Sequence, residues 1–179
     1  MLLATKYQEN RHSLDLQGFL DSLLTATAAD GFGYCKEQVL KMETRMVKSL
    51  NYQMASPTVK SFVNTFLAAI HVDVDALLTH YLAELTLLDH GCNRFLPSLV
   101  AASAVFVSRL TTHPETHPWT STLQRHTGYT PSDLKDCIFA IHDLQTNIKC
   151  STLMAIRQKY QIVAMLFPPL QIIPAAYLE

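Results

Sequence analysis

The sequence predicts an all-α protein. Three observations carry that expectation. Only five glycines are spread over 179 residues. No apolar–polar alternation of the strand kind persists over a useful length. Apolar residues recur instead at spacings of three and four, the period of a helix with one buried face. With 49% hydrophobic and 16% charged residues, the chain has the composition of a packed core rather than of a disordered segment. Its length suits one large domain or two small ones.

Residues 1–9 read as a first helical segment. Leu2, Leu3 and Tyr7 arrive at once, like the last turns of a buried helix, where a soluble domain usually starts with polar, loosely tethered residues. The next stretch predicts a short helix from Leu14 to about Thr27, then a loop at "ADGFGY". "KEQVLKMETRMVKSL" is a clear amphipathic helix, with Val39, Met42, Met46, Val47 and Leu50 on one face. "ASPTVKSFVNTFLAAI" opens another, with Ser56 as N-cap and Pro57 at the first helical position. Its apolar stripe is Val59, Phe62, Val63, Phe66, Leu67 and Ile70. "DVDALLTHYLAELTLLD" follows, opened by Asp73 or Asp75.

"LPSLVAASAVFVSRL" is apolar all round, as in a helix surrounded by others. Its small residues Ser98, Ala101, Ala102, Ser103 and Ala104 would let neighbouring helices approach closely. Pro114 and Pro118 make a loop, and "WTSTLQRHTG" a short helix ended by Gly128. "TPSDLKDCIFAIHDLQTNI" starts with Thr130 as cap and Asp133 three residues on, a capping-box-like pair. A last helix near 152–160 leads to an irregular tail holding Pro168, Pro169 and Pro174. From Pro57 on, this makes five helices around a central apolar one plus a short piece, one complete domain. Residues 1–54 give two or three helices, one with a bare apolar face, which is half a domain.

Several function classes find no support. A net charge of −1 without any run of Lys or Arg argues against a nucleic-acid-binding surface. No basic region precedes the apolar N-terminus as in a secretory signal. The most uniformly apolar uncharged run, "FLPSLVAASAVFVS" between Arg94 and Arg109, has 14 residues, too few to span a bilayer. The four cysteines (Cys35, Cys92, Cys137, Cys150) have no CxxC spacing and read as reduced, intracellular thiols that mostly fill core. His113 and His117 are four apart, but two prolines put them in a loop, with no further ligand to complete a metal set. Ser98 and Ser103, on the buried helix, are expected to bond back to a carbonyl. No catalytic motif, phosphate-binding loop, cofactor or metal site is indicated.

Two charges resist a bland reading. Glu43 falls roughly 40° from Val39 on a helical wheel, inside the apolar stripe, where an unsatisfied carboxylate costs several kcal/mol. Lys6 sits one turn after Leu2, on the side that Leu2 should bury. Either the two form an internal ion pair or a snorkelling lysine, or they mark a surface that is buried only when a partner docks.

At these residues the chain resembles a known family. "LLATKYQE", "VLKMETRMVKSLNYQMASPTVKSFVNTFL", "LAELTLLD", "FLPSLVAASAVFVSRL", "LQRHTGYTPSDLKDC" and "AIRQKY" are similar to the successive motifs of a mitotic cyclin, in order, across nearly the whole chain. "HPW" at 117–119, "AIHDLQ" at 140–145 and the tail "FPPLQIIPAAYLE" are most similar to A-type cyclins of plants. The resemblance implies tandem five-helix cyclin folds. The first is incomplete over 1–54, lacking its first two helices, and the second runs over 55–179 with the tail. It implies a regulatory subunit rather than an enzyme, with no cofactor. The subunit would bind a cyclin-dependent protein kinase, hold the kinase C helix inward and control the S, G2 and M phases from nucleus and cytoplasm.

Carried over by position, Lys6 and Glu43 match a Lys and a Glu that hydrogen-bond kinase backbone, and Leu3, Tyr7, Val47 and Tyr52 match apolar positions of that contact surface. Gln8 stands where a second acidic residue is usual, the "YPP" after the helix is absent, and the segment from Asn10 to Cys35 is longer than the family's. The patch that docks substrates would lie on the missing helices. The competing readings are a degenerate or non-activating cyclin-like fragment, and a cyclin-fold transcription or scaffold protein.

Overall fold

The computed structural model describes residues 18, 21, 24, 25, 35–70, 74–146, 155–170 and 173–178. The helix expected over residues 1–9 lies outside these. Of the helix expected from Leu14 to Thr27, the described positions Gly18, Asp21, Leu24 and Thr25 are helical, and the Thr25 hydroxyl donates to Asp21 O at 2.7 Å. Every described regular element is a helix. The chain divides into two compact units, Met1–Ser56 and Pro57–Glu179.

In the first unit, α1 spans Lys36–Ser49. Its start is tied by the Cys35 N–H donating to Gln38 Oε1 at 2.9 Å. Glu37 in the first turn and Lys48 in the last suit the helix dipole. Its end is a Schellman turn. Asn51 takes a left-handed backbone with φ 49°, its N–H donates to Lys48 O, and the Tyr52 N–H donates to Val47 O, both at 3.0 Å.

The second unit is built on α4, Pro97–Thr112. Val100 to Ser108 and Leu110 are all buried, and Ala101, Ala102, Ser103 and Ala104 have no exposed surface at all. Against it pack α2 (Val59–Ile70), α3 (Val74–Leu85) and α6 (Pro131–Thr146). Small side chains along α4 let these backbones come near, while Leu78, Leu82, Phe106, Leu134, Ile138 and Ile141 fill the space between. The short helix α5, Ser121–Thr127, packs on α2. Two 3₁₀ turns, Thr86–Leu88 and His90–Arg94, link α3 to α4.

The caps follow local chemistry, with one correction. α6 starts as expected: the Thr130 N–H donates to Asp133 Oδ2 at 2.8 Å, and the Asp133 N–H returns to Thr130 Oγ1 at 3.4 Å. α5 is capped by Thr120, whose hydroxyl accepts from the Leu123 N–H, and ends at Gly128 with φ 77°. In contrast, α2 begins at Val59, so Ser56 and Pro57 stand outside it. Thr58 is the cap: its Oγ1 accepts from the Ser61 N–H at 3.3 Å and sits 3.2 Å from the Ser61 hydroxyl. Of the two candidate caps, the one whose hydroxyl meets a first-turn N–H is used. α3 begins at Val74, which puts Asp75 inside the first turn, and Asp73 lies outside the described residues.

The last expected helix, near 152–160, is α7 (Ala155–Lys159), and a helix that was not expected, α8 (Gln161–Leu166), follows it before the tail, so the second unit has seven helices among the described residues. The tail is not loose. After a 3₁₀ turn at Ala175–Tyr177, Leu178 is buried with Ile173 in the same core as α4.

Candidate functional site

α1 is the element on which the described candidate residues stand. None of its residues is buried. Val39, Glu43 and Val47, spaced by four, form a half-buried line. Beside them Met42, Met46 and Leu50 are about half exposed, at 52%, 50% and 51%. The five apolar residues assigned to one stripe thus split into a sheltered row and an exposed row. Glu43 lies in the sheltered row, between the two valines, as the wheel predicts. Of the other assigned contact residues, Lys6, Leu3 and Tyr7 lie outside the described residues.

Tyr52 extends this surface beyond the end of the helix. Its backbone is left-handed, φ 61°, which is uncommon for a bulky residue and costs on the order of 1–3 kcal/mol. Its N–H bond to Val47 O holds it there, and the residue is 70% exposed. Val47 and Tyr52 are therefore coupled through one hydrogen bond. Asn51 was the signal for this turn, since Asn is the usual substitute for Gly at that cap position. A second positive φ at Tyr52 had no such signal.

The remaining chemistry-bearing groups are used structurally. Cys92 and Cys137 are buried, and burial pushes both thiols up to about 11. They stay protonated at neutral pH and poor as nucleophiles. Cys35 corrects the core expectation, being exposed, and Cys150 lies outside the described residues. Among the described residues no three His, Cys, Asp or Glu side chains come together as a metal site, and no helix is long and apolar enough to cross a membrane.

His113 and His117 lie in a loop. His117 Nδ1 is 2.8 Å from Trp119 O, and its ring meets the edge of Tyr177 at 5.2 Å between centroids. The expected carbonyl bonds of the two α4 serines do not form. Ser98 Oγ instead pairs with the Tyr129 hydroxyl at 2.8 Å, a partner brought in by the loop after α5. Ser103 Oγ, buried, makes no bond to a carbonyl, and its hydroxyl interacts with the Cys137 thiol.

A clasp that sequence reasoning missed joins α3 to α7. Lys159 Nζ lies 2.7 Å from Glu84 Oε1, the Tyr160 hydroxyl donates to the same oxygen at 2.9 Å, and the Tyr81 and Tyr160 rings pack at 5.5 Å. These groups lie some 75 positions apart in the chain, so no local pattern announced them.

Residues 57–165 match the family model described as Cyclin, C-terminal domain. The chain is 45% identical to Cyclin-A3-2 of Oryza sativa subsp. japonica over all of its own length and 47% of the relative's. It is 48% identical to Cyclin-A3-1 of the same rice over 82% of itself and 42% of that protein. With the G2/mitotic-specific cyclin C13-1 of Daucus carota it shares 40% identity over 166 residues, which is 46% of that protein.

 The carrot match thus covers 89% of this chain. The chain spans about half the length of the relatives it matches, 47% and 42% for the two rice proteins.

Proposed function

The chain belongs to the cyclin family, and from that premise we propose that it acts as a regulatory subunit that binds and activates a cyclin-dependent protein kinase. Among its relatives, those of plant A type are prominent. In this reading residues 1–54 are the C-terminal part of a first cyclin fold and 55–179 the second fold with its tail. The protein acts in nucleus and cytoplasm, at the S, G2 and M phases.

The observation that carries the proposal is α1, a helix with no buried residue that presents Met42, Met46, Leu50 and the projecting Tyr52 to solvent. Apolar side chains left in water along one helix gain free energy when a partner covers them, about 25 cal/mol per Å². Glu43, half-buried in the adjoining row, accepts backbone N–H groups of the kinase at the rim of that surface. Lys6 donates to kinase carbonyls, and Leu3, Tyr7, Val47 and Tyr52 supply apolar contact.

The mechanism needs no chemistry from this chain. A rigid helical surface docks on the kinase C helix and holds it inward. That lets the kinase form the Lys–Glu pair that positions ATP, and it orders the activation loop. Differential affinity for the active conformation is the whole of the effect.

The test is stimulation of a purified cyclin-dependent kinase phosphorylating histone H1, with and without this chain. Saturable stimulation supports the reading. Binding without stimulation would favour a non-activating cyclin, and failure of both binding and stimulation would overturn it.

A further inference from the structure

The chain holds two Ser/Thr–Pro pairs, Ser56–Pro57 and Thr130–Pro131. By residue type each Ser or Thr can cap a helix, but the structure treats the two differently. Thr130 is spent on its cap. Its hydroxyl donates to Asp133 Oδ2 at 2.7 Å, its N–H donates to the same oxygen at 2.8 Å, and α6 begins at Pro131. Ser56 is passed over, because the Thr58 hydroxyl takes the Ser61 N–H in its place.

Ser56 therefore stands in an accessible stretch. Residues 53–58 belong to no helix, and residues 51–58 are all exposed. Pro57 keeps the residue before it out of the helical region and in an extended backbone. Phosphoryl transfer needs the acceptor hydroxyl in line with the γ-phosphorus of ATP, which an exposed, extended segment can supply without unwinding a helix. Charge points the same way. A phosphate on Ser56 would precede the positive end of α2, whose first turn carries the exposed Lys60. A phosphate on Thr130 would stand beside the Asp133 carboxylate and remove the proton that the hydroxyl donates to it.

We propose that Ser56 is a phosphorylation site for a proline-directed serine/threonine kinase, with ATP as the phosphoryl donor, and that its cap closes Thr130 to the same enzyme. In the step, Ser56 Oγ bonds to the γ-phosphorus of ATP as the bond from that phosphorus to the β–γ bridging oxygen breaks. ADP leaves, and the hydroxyl proton passes to the base of the kinase. The inference rests on the accessibility of Ser56 and is independent of the reading of this chain as a kinase activator.

The test incubates the full chain with ATP and a purified mitogen-activated protein kinase, a proline-directed enzyme, and maps phosphate over time by mass spectrometry. A synthetic peptide of residues 51–60 runs beside it. Ser56 in the chain should be modified at a rate close to that in the peptide. Thr130 should react roughly 10- to 100-fold more slowly, the worth of one hydrogen bond to a charged group. Ser56→Ala should abolish phosphate on residues 51–60. A chain unmodified at Ser56, whether or not the peptide reacts, would overturn the site, as would phosphate persisting on residues 51–60 of Ser56→Ala. Thr130 modified as fast as Ser56 would overturn the closure by the cap.

Discussion

Single residues here work mostly through backbone geometry and local charge. Gly128 ends α5 with φ 77°, and a Cβ added there would meet nothing within 4 Å. Substitution therefore costs conformational strain alone. Gly128→Ala should lower stability by about 1 kcal/mol in urea unfolding, and no loss would mean that the turn adapts freely. Glu84 is governed by opposing influences. Burial pushes its carboxyl up, but hydrogen bonds from Lys159 and Tyr160 outweigh it and hold the group below its usual 4.5. The lower value belongs to the folded state, so Glu84 adds stability above about pH 4.5, and that increment is lost as pH falls through the folded value. Glu84→Gln should flatten the fall in Tm between about pH 6 and about pH 3. Parallel slopes for the two proteins would show that the clasp adds nothing.

Helices were legible in proportion to how local their causes are. α4 could be read from its composition, because a run apolar on every side has only the interior to occupy. α5 and α6 could be read from Gly128 and from the Thr130–Asp133 pair, whose interactions close within four residues. The start of α2 was misplaced because Ser56 and Thr58 are both good caps by type, and it is Thr58 whose hydroxyl takes the Ser61 N–H. The Glu84–Lys159–Tyr160 clasp and the burial of Ile173 and Leu178 depend on partners far away in the chain. The packing of α4 makes a direct prediction. Ala102 has no exposed surface, so Ala102→Leu should cost about 1–3 kcal/mol by overpacking, visible as a lower urea midpoint. An unchanged midpoint would show space that the helices around α4 do not leave.

At the scale of the whole molecule, the described helices of the two units differ in how deeply they are buried. The second surrounds α4 with helices and closes with its tail, and it carries the domain by which the family is established. The first presents α1 with no residue buried. Glu43 stands out there as a conflict within the sequence, a carboxylate inside an apolar stripe, and the structure places it half-buried between Val39 and Val47. The split of the stripe into sheltered and exposed rows was not legible, because five apolar residues within one arc look alike on a wheel. Nor was the projection of Tyr52, which depends on two successive left-handed residues.

The central claim is that α1 grips a kinase through Glu43. It is tested most directly by calorimetric titration of a purified cyclin-dependent kinase with the wild-type chain and with Glu43→Ala, their Tm values compared alongside. Removing one buried charged hydrogen-bonding partner should weaken binding by about 1.5–3 kcal/mol, roughly 10- to 100-fold, with Tm unchanged. Equal affinity for the two proteins would contradict the claim.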